Sequence, residues 1–209
     1  MAPRAWSAGA LLVVAVVAAL TAEAGARWLA GPLEDRARSA LVLALALRSV
    51  LWGGLGAWLR VPAPVPPQRE HGAGFMALGV GLGTGLFSAL VLRLLTVAAE
   101  LEPPPVPALT ALGAPWVVLL ALGATLLAPL GEELFFRGAL FDALARVHGA
   151  RIALLGSTAA FALFHPHPAH LPAALVAGLA LGWLRQRTGR LGPCVLAHAL
   201  HNALWLGLR

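Results

Sequence analysis

The stretch Pro129-Leu-Gly-Glu132-Glu133-Leu-Phe-Phe-Arg137 places three ionisable side chains inside an otherwise apolar segment. Pro115 to Leu127 carries no charge, and Gly138 to Leu140 is apolar again. A charge at the centre of a bilayer costs about 2.5–3.5 kcal/mol on insertion scales, so intramembrane charges are functional-site candidates by default. On a helix, Glu133 and Arg137 share a face and can pair. Glu132 is turned about 100° from Glu133 and has no partner within its own helix. Glu133–Arg137 therefore reads as a supporting pair and Glu132 as a carboxylate held for use. The plain alternative is a charge cluster at a helix end near the interface.

The rest of the chain has the composition that such a segment needs. Of 209 residues, 59% are hydrophobic and only 11% charged, with a mean hydropathy of +0.81. Soluble domains are about a quarter charged. The expected fold is all-α: a polytopic transmembrane helical bundle of about seven to eight spans, forming a single integral membrane domain over residues 1–209. The net charge of +6 comes entirely from arginine. These arginines sit mainly in short loops, where they set topology, so nucleic acid is not an expected partner. Cys194 is the only cysteine, which excludes an internal disulfide and argues against a cysteine metal site. The seven tryptophans lie mostly near predicted span ends, as interfacial anchors.

Taken in order, Ser7 to Ala30 is the first apolar run. Residues 1–24 imitate a cleavable secretory signal, but the apolar character continues to Ala30, which favours an uncleaved span. Arg38 to Arg60 is the second span, with Arg48 near its middle and Trp52 and Trp58 near one end. Val61 to Gln68 is a proline-rich linker. His71 to Ala99 is the third span; Gly79, Gly81, Gly83 and Gly85 offer close helix packing. Arg93 near its end is placed to snorkel. Pro115 to Arg146 is the fourth, and Pro129 predicts a kink or loosened turn just before Glu132. Arg146 to Arg151 is a basic turn. Ile152 to Phe164 is the fifth span, Leu171 to Leu184 the sixth, and Leu191 to Leu208 the seventh. Alternating the spans puts Arg4, Arg60, Arg69, Arg146, Arg151, Arg185, Arg187 and Arg190 on one side. The positive-inside rule makes that side cytoplasmic.

Four polar positions stand out in the last long spans: Glu132, His165, His198 and Asn202. His198 and Asn202 share a helix face, as do Phe161 and His165. Glu132 and His165 lie on the order of 20 Å from the same membrane face, so antiparallel neighbours bring them together. His198 is shallower, and its helix must tilt or start deeper to join. Taken singly, each has a bland reading as a packing or interfacial side chain.

Glu132-Glu133-Leu-Phe-Phe-Arg137 resembles the EExxxR signature of the type II CAAX prenyl endopeptidase and bacteriocin-processing protease family. Phe161-Ala-Leu-Phe-His165 resembles its FxxxH element, and His198-Ala-Leu-His-Asn202 its HxxxN element. The resemblance runs from about Pro115 to Arg209, which makes 115–209 the family-like catalytic half. It implies an intramembrane endopeptidase that cuts near a membrane-anchored or lipidated C-terminus. It also implies roles: Glu132 as general base, His165 as the water-orienting imidazole, His198 and Asn202 as the oxyanion-stabilising pair. Glu133, Arg137 and Phe161 fall on supporting positions.

The chemistry is coherent. Amide hydrolysis needs an activated water, donors for the oxyanion and a proton for the leaving amine. No serine or cysteine nucleophile with a nearby base is apparent. The rival chemistry is a zinc site with Glu132, His165 and His198 as ligands. There is no HExxH, and a carboxamide at Asn202 is an uncommon zinc ligand. From Gly138 onward Asp142 is the only acid, so the last two spans hold none to orient a metal-bound histidine. These points favour hydrolysis with no metal and no cofactor. The expected partners are a membrane-anchored peptide or protein substrate and the lipid bilayer. Arginine without lysine, with abundant Ala, Leu and Gly, is the composition of a GC-rich bacterial genome, so the expected location is the bacterial inner (cytoplasmic) membrane. Two other classes fit less well. A non-catalytic immunity or scaffold protein on the same fold would not need base and clamp together. A small transporter is disfavoured by the lack of an inverted repeat.

Overall fold

A computed structural model describes Ala10, Val13, residues 49–50 and 52–55, 72–98, 114–165 and 170–207. Most of the first two predicted spans lies outside the described residues. Among the described residues every regular element is a helix. In chain order these are α1 (Ala73–Ala98), α2 (Ala114–Leu122), π1 (Gly123–Leu127), α3 (Ala128–Glu133), π2 (Leu134–Leu140), α4 (Phe141–Leu163), α5 (Leu171–Thr188) and α6 (Leu191–Gly207). α2 to α4 form one nearly continuous rod with two widened turns. Within α4, Gly149 has φ 81° and ψ 169°, a conformation that only glycine adopts without strain. The rod therefore breaks inside the predicted basic turn between Arg146 and Arg151.

Two helices among the described residues are long and apolar enough to cross a membrane, Ala73–Leu95 and Val117–Leu163. The expected seven to eight is not confirmed by this count, since most of the first two predicted spans lies outside the described residues and the later helices are divided differently. The second covers 47 residues across the Gly149 break. α5 ends in Arg185 and Arg187, and α6 has only 17 residues.

α1 and α6 run parallel and touch through two of the four alternating glycines. A Cβ at Gly81 would lie 2.6 Å from Ala197 O, and one at Gly85 would lie 3.0 Å from the Leu204 side chain. Gly79 and Gly83 have nothing within 4 Å. The contact repeats every fourth residue because that is the period of one helix face. α3 is crossed as closely: Gly131 has no room for a Cβ against the backbone of Ser49.

Two sequence expectations are corrected here. Trp52 is not an interfacial anchor: it is 1% exposed, with its ring 4.6 Å from Phe135, 5.4 Å from Phe136 and 5.1 Å from Phe164. The aromatic run after Glu133 supplies a core that a tryptophan from the N-terminal half fills. Arg185 is not a loop cation that reads topology. It is buried, and its Nη2 lies 2.9 Å from Asp142 Oδ1. Its Nε donates to Arg137 O at 2.9 Å.

Candidate active site

The site begins with Pro129. In π1 the Ala128 N–H donates to Gly123 O, a bond one residue longer than the α pattern. The next donor along that register would be residue 129, and proline has no N–H. Ala124 O is thereby left for another donor. Asn202 on α6 takes the place, its Nδ2 donating to Ala124 O at 2.8 Å. The loosened turn expected before Glu132 is present, and it docks the seventh predicted span onto the fourth.

π2 repeats the logic. The Phe141 N–H goes to Gly138 O and Phe136 O, and Arg137 O receives Arg185 Nε. Widened turns displace side chains from the regular helical register. Here they flank the short α3 that carries Glu132 and Glu133.

Glu133 and Arg137 pair as their spacing predicts, Nη1 to Oε1 at 2.9 Å, both fully buried. The guanidinium also donates through Nη2 to Gly178 O at 3.2 Å and lies 4.4 Å over the Phe161 ring. That stacking gives Phe161 its role: it shields a buried cation with a π face.

Glu133 does more than its sequence position indicates. Its Oε1 is also 2.8 Å from His198 Nδ1. A carboxylate only accepts, so the Nδ1 proton of His198 is the donor. His198 Nε2 then lies 3.8 Å from Glu132 Oε2. The last two spans hold no acid of their own, yet His198 has one placed against it. The acid comes from a different helix, which a count along α5 and α6 cannot see.

The same tautomer recurs. His165 Nδ1 is 2.9 Å from Phe161 O, and a carbonyl only accepts. His201 Nδ1 is 3.0 Å from Thr84 Oγ1, whose own proton goes to Val80 O at 2.7 Å. Each ring is thus anchored by Nδ1–H, so that in its neutral form Nε2 is the acceptor.

Glu132, Phe161, His165, His198 and Asn202 all line one cavity of ≈ 220 Å³. Glu132 is 7% and His198 3% exposed. Alanines of the α2–α3 rod and of α5 form part of its wall. Sequence reasoning did not single out three further lining residues. His201 sits within the HxxxN element, between His198 and Asn202. His170 closes the His-Pro-His-Pro-Ala-His run, and its ring is 5.3 Å from Trp205. Ser88 comes from α1, a helix read only for packing. Among the described residues no three His, Cys, Asp or Glu side chains are placed to hold one metal ion.

These features define a class: a helical membrane protein with a carboxylate, imidazoles and a carboxamide gathered at one partly open cavity. Residues 114–204 match the family model for Type II CAAX prenyl endopeptidase Rce1-like, a match that covers a little under half of the chain. The match bears out the resemblance of the three motifs. At a coarse level it supports a CAAX protease-like membrane hydrolase, with a membrane-associated peptide as the kind of substrate that family implies. No curated protein matches the chain, and no solved structure does.

Proposed function

We propose that the chain is an intramembrane endopeptidase in which Glu132 activates water for attack on a peptide bond near a membrane-anchored or lipidated C-terminus. The observation that carries this reading is the shared cavity of Glu132, His165, His198 and Asn202.

Each group has a task that its bonding permits. Glu132 takes a proton from water as the oxygen attacks the carbonyl carbon, then delivers it to the leaving amine as the C–N bond breaks. His165, anchored through Nδ1, presents Nε2 as the acceptor for the water's second hydrogen. The oxyanion receives an N–H from Asn202, whose other N–H holds Ala124 O, and from His198 Nε2 when that ring is doubly protonated. Arg137, Glu133 and Phe161 fix the His198 ring rather than meet the substrate. No step is routed through a metal. The zinc reading retains one supporting observation: a histidine whose Nδ1–H is held by a carboxylate is the usual form of a metal ligand.

Residues 1–209 form one integral membrane domain in this account, with seven to eight spans, the arginine-rich ends in the cytoplasm and the bacterial inner membrane as location. The substrate is a membrane-anchored peptide or protein; nucleic acid has no part.

The test uses the full chain in proteoliposomes with two internally quenched peptides. One ends in a farnesylated CAAX tetrapeptide. In the other, an apolar helix replaces the lipid. Cleavage of either by the wild-type chain, abolished in Glu132→Gln at unchanged Tm, is the expected result. Equal cleavage by Glu132→Gln contradicts the assignment.

A further inference from the structure

We infer that Ser88 binds the backbone of the substrate peptide, extending the site onto a helix that lies outside the family-matched segment. The inference rests on the endopeptidase reading above and adds a binding residue to it. Ser88 lines the same cavity as Glu132, His198 and Asn202. The residue is 1% exposed, and its Oγ has no hydrogen-bond partner among the described residues. A buried hydroxyl without a partner destabilises the fold unless something arrives to satisfy it. Most helical serines turn their hydroxyl back onto a carbonyl of the preceding turn. Thr84, one turn earlier, does this to Val80 O; Ser88 does not.

Register says what the hydroxyl meets. Thr84 is level with His201 through their hydrogen bond, and Gly85 packs on His201 and Leu204. Because α1 and α6 run parallel, Ser88 continues one turn beyond, towards the end of the cavity lined by Trp205. His201 is three residues past His198, and Ser88 four past Thr84. At 1.5 Å per residue the hydroxyl lies about 10 Å along the cleft from His198. An extended peptide rises about 3.3 Å per residue. Asn202 is one turn further along α6 than His198, so a scissile carbonyl that meets both lies about 7 Å from Ser88 and brings a backbone group to it about two residues away. A hydroxyl that both donates and accepts suits a peptide carbonyl or N–H there, whatever the side chain.

The experiment compares wild type, Glu132→Gln, Ser88→Ala and Ser88→Thr with the two quenched peptides, together with Tm. On a wild type that cleaves and a Glu132→Gln that does not, Ser88→Ala is expected to raise KM roughly tenfold with kcat little changed, the sign of lost uniform binding. Its Tm is expected to be equal or higher, because an unsatisfied hydroxyl has gone. Ser88→Thr, which keeps the hydroxyl, is expected to restore KM. An unchanged KM in Ser88→Ala, or a lowered Tm, overturns the inference and leaves the endopeptidase reading standing. Failure of wild type to cleave either peptide removes both.

Discussion

Glu133 Oε1 lies 2.8 Å from His198 Nδ1 although 65 residues separate them in the chain. The same oxygen is 2.9 Å from Arg137 Nη1. One carboxylate oxygen thus serves a cation of its own helix and an imidazole of another. It couples the charge balance of the core to the orientation of a ring in the cavity.

Glu133→Gln should therefore damage stability and activity together. It strands a fully buried guanidinium, a loss of about 3–5 kcal/mol. It also offers His198 a weaker acceptor, which loosens the ring. Denaturant unfolding in mild detergent and the peptide assay check this. Wild-type stability in Glu133→Gln would show that Arg137 draws its compensation from elsewhere.

The Asp142–Arg185 pair predicts a different pattern. It is buried, and Arg185 also holds Arg137 O at the end of π2. Asp142→Asn or Arg185→Met should each cost about 3–5 kcal/mol, since each leaves one buried charge alone. The double variant should recover part of that loss, as the uncompensated charge is gone. Urea titration of the three variants supplies the double-mutant cycle; strict additivity would mean the pair is not coupled.

Gly81 is a steric prediction. Gly81→Val places a branched side chain against Ala197 O, where a bare Cβ is already at 2.6 Å. It should pry α1 from α6 and lower Tm, whereas Gly83→Ala, with nothing within 4 Å, should be near neutral. Equal effects at the two positions would contradict the parallel α1–α6 contact.

Asn202→Asp tests the carboxamide. The variant keeps the size and loses the N–H that serves Ala124 O, a bond worth about 1 kcal/mol and more when its loss leaves a carbonyl unmet. Cleavage should fall by at least a hundredfold, the scale of a lost oxyanion donor, and Tm should drop modestly. Loss of stability with cleavage intact would reduce Asn202 to a brace for π1.

How far the sequence spoke follows from the range of each signal. Helices, the Glu133–Arg137 pair and the loosened turn before Glu132 depend on neighbours within a turn or two, and all were legible. So were the three motifs, which the family match over 114–204 supports. What stayed hidden depends on contacts between distant helices. Trp52 had the position of an interfacial anchor and fills the aromatic core. Arg185 had the position of a loop cation and is a buried pair. The proton acceptor for His198 sat in plain view at Glu133, but only packing brings them together. Asn202 reads from sequence as an oxyanion donor or as a bond to a neighbouring helix; Pro129's missing N–H, also visible in the sequence, is what frees the Ala124 carbonyl it meets.

The central claim is that Glu132, and not a metal, activates the water, and the direct measurement is cleavage by chelator-stripped protein. The full chain is purified in detergent, stripped with a strong chelator and checked by elemental analysis. It is then assayed with zinc, cobalt or nothing restored. The account predicts that cleavage survives without stoichiometric metal and is lost in Glu132→Gln under every addition. Cleavage that vanishes on stripping and returns only with metal would contradict it, and would make Glu132, His165 and His198 ligands instead.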